Sequence, residues 1–155
     1  MPINIENPDF DEPRDREGFR ARRAGIGRQA GAVKLGATIW ELPPGEAAYP
    51  YHFHIGVEEM LVVLSGTPTL RAPAGERKVA QGEVLVFLSG EDGAHQLLNR
   101  SGETVRFLAI STSDALDIVV YPDSGKVACY ERGGLRELHF RANAVDYWEG
   151  EAPPG

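Results

Sequence analysis

No apolar run in this chain goes far before a glycine or a proline cuts it. There are 18 Gly and 11 Pro in 155 residues, and the apolar pieces left between them are short. Such pieces cannot fill helices of the usual three turns. Short apolar segments bounded by turn residues predict an all-β domain, a sandwich or a barrel. The expected strands are Val33 to Leu42, Pro50 to His54, Glu59 to Ser65, Thr67 to Ala72, Arg77 to Ala80, Val84 to Phe87, Ala94 to Asn99, Thr104 to Ser111, Asp117 to Tyr121, Lys126 to Tyr130 and Glu137 to Phe140. One helical turn is expected near Ser113 to Leu116. The two glycines of the loop Leu88 to Gly93 suggest unusual backbone angles there.

The chain is long enough to bury about 70% of its unfolded surface as one domain. Its 42% hydrophobic content argues against disorder. A net charge of −7 argues against a phosphate backbone as partner. The lone Cys129 cannot close an internal disulfide. No stretch resembles a signal peptide or a membrane span. These features predict a cytoplasmic protein without nucleic-acid or membrane partners. Residues 1–30 differ from the rest: six acidic and six basic residues alternate with Pro and Gly. This segment reads as an arm lying over the main body or over a partner subunit. Its cluster Arg20, Arg22 and Arg23 reads as a solvated or ion-paired face rather than an anion site.

One stretch, Gly45 to Gly66, concentrates chemistry: GEAAYPYHFHIGVEEMLVVLSG. In an extended segment residues two apart share a face, roughly 7 Å apart at Cα. His52 and His54 can therefore converge on one ion. The loop Ile55 to Glu58 can turn Glu59, at the head of the next strand, toward them. Neighbours in a strand face opposite ways, so only one of Glu58 and Glu59 can enter the site, and Glu58 reads as solvated. Imidazole with carboxylate suits divalent first-row transition metals. His95 lies on a later expected strand. His139 reads as a surface residue.

The spacing Gly45, six residues, His52-x-His54, four residues, Glu59, six residues, Gly66 resembles the first motif of the cupins, with one residue more before the His pair. GEVLVFLSGEDGAHQLLN, from Gly82 to Asn99, resembles the second, with Leu88 where that motif usually has proline and a loop about two residues longer. DIVVYPDSGK and the DYWEGE tail are similar to small bacterial single-domain cupins. The resemblance implies a double-stranded β-helix, a jelly-roll barrel of two Greek-key halves, over residues 31–121. Residues 1–30 would then be an N-terminal arm and 122–155 a C-terminal extension packing on the barrel. It also implies one divalent metal (Zn, Mn, Fe, Ni or Co) held by His52, His54, Glu59 and His95, and a homodimer, a state in which some members exchange an arm between subunits. The function so implied is a small-molecule enzyme of dioxygenase or sugar isomerase/epimerase type acting on a small polar molecule. A non-catalytic ligand-binding or sensor cupin is the alternative, and a metal that only staples the barrel is a third reading. Trp40, Tyr49, Tyr51 and Gln96 are candidate wall residues.

Overall fold

The computed structural model describes residues 2–113, 116–131 and 134–153. Its strands are β1 (Arg22–Ala24), β2 (Leu35–Leu42), β3 (Phe53–His54), β4 (Glu59–Ser65), β5 (Thr69–Ala72), β6 (Gly75–Lys78), β7 (Val84–Phe87), β8 (Gln96–Leu98), β9 (Val105–Thr112), β10 (Leu116–Tyr121), β11 (Lys126–Glu131) and β12 (Arg136–Phe140). A one-turn helix α1 (Ile26–Gln29) follows β1. Among the described residues no helix is long and apolar enough to cross a membrane. The helical turn expected near Ser113 to Leu116 falls on 114–115, outside the described residues, and Leu116 itself opens β10.

The strands form three antiparallel sheets, ordered β1-β2-β9-β4-β7, β12-β11-β10-β3 and β6-β5-β8. Isolated bridges Ala47↔Leu98 and His52↔His95 tie the chain just before β3 to β8 and its flank, joining the two smaller sheets. Alternation on β4 sets the inside: Leu61 and Val63 are buried while Met60 between Glu59 and Leu61 is exposed. β9 answers in register, with Val63 opposite Phe107 and Leu61 opposite Ala109. One core joins Trp40, Leu42, Leu61, Val63, Leu85 and Phe107 of the large sheet to Leu70 and Leu97 of β5 and β8. Each such side chain contributes about 1.5–3 kcal/mol by leaving water, so the two layers are held face to face.

Asn99 is the polar exception, 1% exposed. Its amide donates to Leu42 O at 2.8 Å and Glu103 O at 2.7 Å, and its oxygen accepts from the Ser101 backbone and hydroxyl. With its bonding capacity used, it clamps the turn between β8 and β9 at little cost.

Several expected strands are shorter than the sequence suggests, and backbone chemistry explains why. Pro50 has no N–H, so the ladder cannot run through it. Regular pairing starts only at Phe53, and His52 is held by its bridge. Pro68 likewise precedes β5, which opens at Thr69. Gly75, expected in the turn, pairs with Ala72 and opens β6 at φ 111°, leaving Pro73 and Ala74 to turn the chain. β2 begins at Leu35 rather than Val33, and β8 keeps only the centre of Ala94 to Asn99.

The arm lies over this chain's own large sheet. β1 pairs with β2, setting Ala24 against Ile39, both fully buried. α1 follows at close range: a Cβ on Gly27 would lie 2.9 Å from Ala37 N, so only glycine permits the approach. Arg14 and Ala21 exchange backbone hydrogen bonds, folding residues 14–21 back on themselves.

Candidate metal centre

His52 and His95 exchange both backbone hydrogen bonds, His52 N to His95 O at 3.2 Å and His95 N to His52 O at 2.9 Å. Directly opposed residues of an antiparallel pair send their side chains to one face. The rings stand 4.9 Å apart, centroid to centroid. His54, two residues on, brings its ring to 4.9 Å from that of His52. β4 delivers Glu59 from the opposite sheet, while Glu58 is exposed. So His52, His54, Glu59 and His95 come together, from chain segments in both layers.

Each imidazole is anchored through Nδ1. His52 Nδ1 donates to Pro50 O at 2.9 Å, His95 Nδ1 to Gly93 O at 2.9 Å, and His54 Nδ1 to Asp117 Oδ2 at 2.5 Å. A carbonyl or carboxylate can only accept, so each Nδ1 carries hydrogen and each Nε2 faces the cluster. There His52 Nε2 lies 3.1 Å from His54 Nε2. Glu59 Oε2 lies 3.4 Å from His54 Nε2, 3.2 Å from His95 Nε2 and 4.0 Å from His52 Nε2. Packing fixes the rings further: Phe87 stacks on His95 at 3.7 Å, and Tyr49 stands edge-on to His52 and His95.

His52, His54 and Glu59 form a group that could hold a metal ion, their ligand atoms within 4.8 Å of one another. His95 Nε2 points at the same place, and it is buried without a hydrogen-bond partner among the described residues. Its 3.2 Å approach to Glu59 is close but not aligned as a hydrogen bond. A buried, unsatisfied nitrogen costs about 1–3 kcal/mol. A cation between the imidazoles and the carboxylate removes that cost, and the donor set suits a divalent transition ion.

The electrostatics fit the same picture. Burial, with the neighbouring His95 and His54, pulls His52 down to about 4, so it is neutral at pH 7. Burial also opposes charge on His54, but Asp117 and Glu59 outweigh it and push it up to about 9. Burial likewise disfavours the Glu59 carboxylate, yet His54 and His95 hold it well below the usual carboxylate range. In the metal-free cluster His54 therefore carries a proton where a cation would otherwise sit.

A cavity of about 340 Å³ opens onto His52, His54 and Glu59, walled by Trp40, Tyr49, Tyr121 and two arm residues, Arg14 and Arg23. Burial first and the Tyr130 hydroxyl second raise Tyr121, so its phenol stays a donor. Of the four expected wall residues, Trp40 and Tyr49 line the cavity. Tyr51 instead lies under the Arg71 guanidinium, at 4.1 Å, and Gln96 is tied to Tyr49 O at 3.0 Å. His139 is exposed and bonded to Glu137. A larger hollow of about 480 Å³ lies between α1 and β2, but Arg28, its one charged lining residue among those described, is paired with Asp11. Sequence reasoning missed Asp117, Tyr121 and Arg14. Only the inward alternation Asp117, Val119, Tyr121 on β10 hinted at the first two.

Comparison with known proteins identifies one stretch of the chain. Residues 38–111 match the family model described as Cupin domain. Residues 38–111 are a cupin domain. A solved structure of a candidate sugar phosphate isomerase from Acidithiobacillus ferrooxidans is 26% identical, with TM-score 0.79 over 87% of each chain. A cupin-superfamily sugar phosphate isomerase from Silicibacter pomeroyi is 18% identical, with TM-score 0.82 over 96% of this chain and 98% of that one. The polyketide cyclase RemF from Streptomyces resistomycificus is 23% identical, with TM-score 0.62 over 74% of this chain and 80% of that one. Comparison with curated proteins found no significant match. The all-β chain thus has the cupin fold; the first motif brings His52, His54 and Glu59 to the cavity, and the second brings the buried His95 against them.

Proposed function

We propose that this cupin is a metal-dependent enzyme acting on a small sugar-derived molecule, with isomerisation as the reaction class. The observation that carries the reading is the convergence of three Nδ1-anchored imidazoles and one carboxylate beside an open cavity. His52, His54, Glu59 and His95 would hold one divalent ion. Such an ion, when bound, supplies Lewis acidity to paired hydroxyl and carbonyl oxygens. The chain's own residues do the rest. Tyr121 offers a protonated hydroxyl to a substrate oxygen, and Trp40 with Tyr49 supplies an apolar wall that shields the site from water. The 26% identity to a candidate sugar phosphate isomerase supports the substrate class.

A second reading has its own observation. The ionisable residues lining the cavity, among those described, are Arg14, Arg23, Tyr49, His52, His54, Glu59 and Tyr121. None is a carboxylate or imidazole outside the metal group, so a ligand-binding cupin without turnover is the rival. The test is elemental analysis of protein purified without added metal, followed by NMR of aldoses, ketoses and their phosphates incubated with it. Interconversion lost in His54→Ala supports the enzyme. Bound sugar without interconversion supports the rival, and the lack of any bound metal removes the enzyme.

A further inference from the structure

Two arginines of the arm have no part in the metal group, yet both face its cavity. Arg14 and Arg23 line it together with His52, His54 and Glu59. Their guanidinium carbons lie 5.3 Å and 5.5 Å from the centroid of the same Trp40 ring. Of the other arm arginines, Arg20 pairs with Asp15 and Glu46, Arg22 with Glu41, and Arg28 with Asp11, while Arg16 is exposed and lies outside the cavity lining. Among the described residues neither Arg14 nor Arg23 forms a salt bridge. Arg14 is fixed by donating through Nε to Phe19 O at 2.6 Å and through Nη2 to Ala48 O. Those carbonyls orient it without neutralising it. Burial and the charge of Arg23 both bear down on its ionisation, with Glu46 opposing. The expected solvated or ion-paired face thus holds: Arg20 and Arg22 are ion-paired, and Arg23 is exposed, set opposite Trp40 by the β1–β2 pairing.

We infer that Arg14 and Arg23 form an anion subsite that takes the phosphate group of a phosphate monoester whose other end reaches the metal group. Two like charges held around one ring at a cavity wall repel each other, and an anion between them turns that repulsion into attraction. A phosphate dianion matches their summed charge and offers three terminal oxygens to a fork of N–H donors. At about 340 Å³ the cavity is at the small end of ligand sites, as a compact metabolite requires. This rests on the proposal above that the cavity is the substrate site, and it names which end of the substrate lies where.

The experiment is titration of metal-free full-length protein with inorganic phosphate, followed by calorimetry and by ³¹P NMR. Metal-free protein keeps phosphate from reporting on the ion. Wild type is expected to bind. Arg23→Gln, at an exposed residue whose loss spares the fold, should weaken binding about tenfold to a hundredfold, the range for a charge-assisted hydrogen bond. Arg23→Lys should recover part of it, and Arg22→Gln on the same strand should change nothing. Arg14→Gln is read alongside its thermal midpoint. No phosphate binding by wild type, equal binding by Arg23→Gln, or acetate binding as tightly as phosphate would each overturn the inference. Metal content separates the two proposals: Arg23-dependent phosphate binding in a chain that never takes metal sinks the enzyme reading alone. A metal-loaded chain whose phosphate binding ignores Arg23 sinks the subsite alone.

Discussion

The proton on His54 makes the site's chemistry measurable at the scale of a single residue. His54 is raised from 6.5 to about 9 because Asp117 and Glu59 overcome its burial. In the metal-free protein that shift adds stability fully present below pH 6.5 and lost as pH rises through 9. A metal must displace the same proton, so apparent metal affinity should climb with pH, roughly tenfold per unit, and level off near 9. Competition against a chelator at pH 6, 7 and 8 checks this, and a flat profile would place the proton elsewhere. Asp117→Asn has two opposed effects. It makes His54 a weaker ligand, which typically costs about 10–100-fold in affinity, and it weakens the proton's competition. The diagnostic is therefore the profile: the variant should level off at a lower pH and at a weaker plateau. The His-x-His pair and Glu59 were legible in the sequence because spacing along one short stretch carries their geometry. Asp117 was not, since it reaches His54 from 63 residues away, and only the pairing of Val119 with His54 sets that meeting.

At the scale of elements, the loop between β7 and β8 decides where His95 points. Gly93 closes its single 3-10 turn (Glu91–Gly93) and its carbonyl accepts the His95 Nδ1 hydrogen. Gly90 N donates to His54 O at 2.7 Å, so one loop touches two of the imidazole residues. The unusual angle expected of both loop glycines occurs at Gly90, with φ 95°. Gly93 is there for a different reason: a Cβ would fall 1.8 Å from Leu88 O. Gly93→Ala must push the loop off, with an expected loss of about 1–3 kcal/mol and weaker metal binding together. Urea melts and a metal titration measure the two. Gly102→Ala, at a site with open space and an ordinary φ, is the control and should stay within about 0.5 kcal/mol. β4 and β7 were readable to the residue because unbroken apolar runs mark them, and β9 came within one residue at each end. β1 and α1 were not readable. Arg22–Ala24 has no apolar alternation, and its strand exists because β2 offers an edge.

At the scale of the whole molecule, the four proposed ligands would, around one ion, cross-link the sheets. Glu59 comes from the large sheet, His54 from β3 in the second, and His95 from the chain entering β8 in the third. Global unfolding must pull these apart, so an ion bound only to the folded state stabilises the whole domain and not one hairpin. At a free metal concentration of 100 Kd the gain is about 2.7 kcal/mol. For a chain of this size that corresponds to roughly 5–10 °C in melting midpoint. Stripping the purified protein with a chelator should lower its midpoint by that amount, and returning the metal should restore it. His52→Ala, which removes one ligand but leaves the His52–His95 backbone pairing intact, should melt at one midpoint with or without chelator. A wild-type midpoint indifferent to metal would mean that the sheets are held by the Leu61, Phe107 and Leu97 core alone. A His52→Ala midpoint that still falls with chelator would place the ion at some other group of side chains.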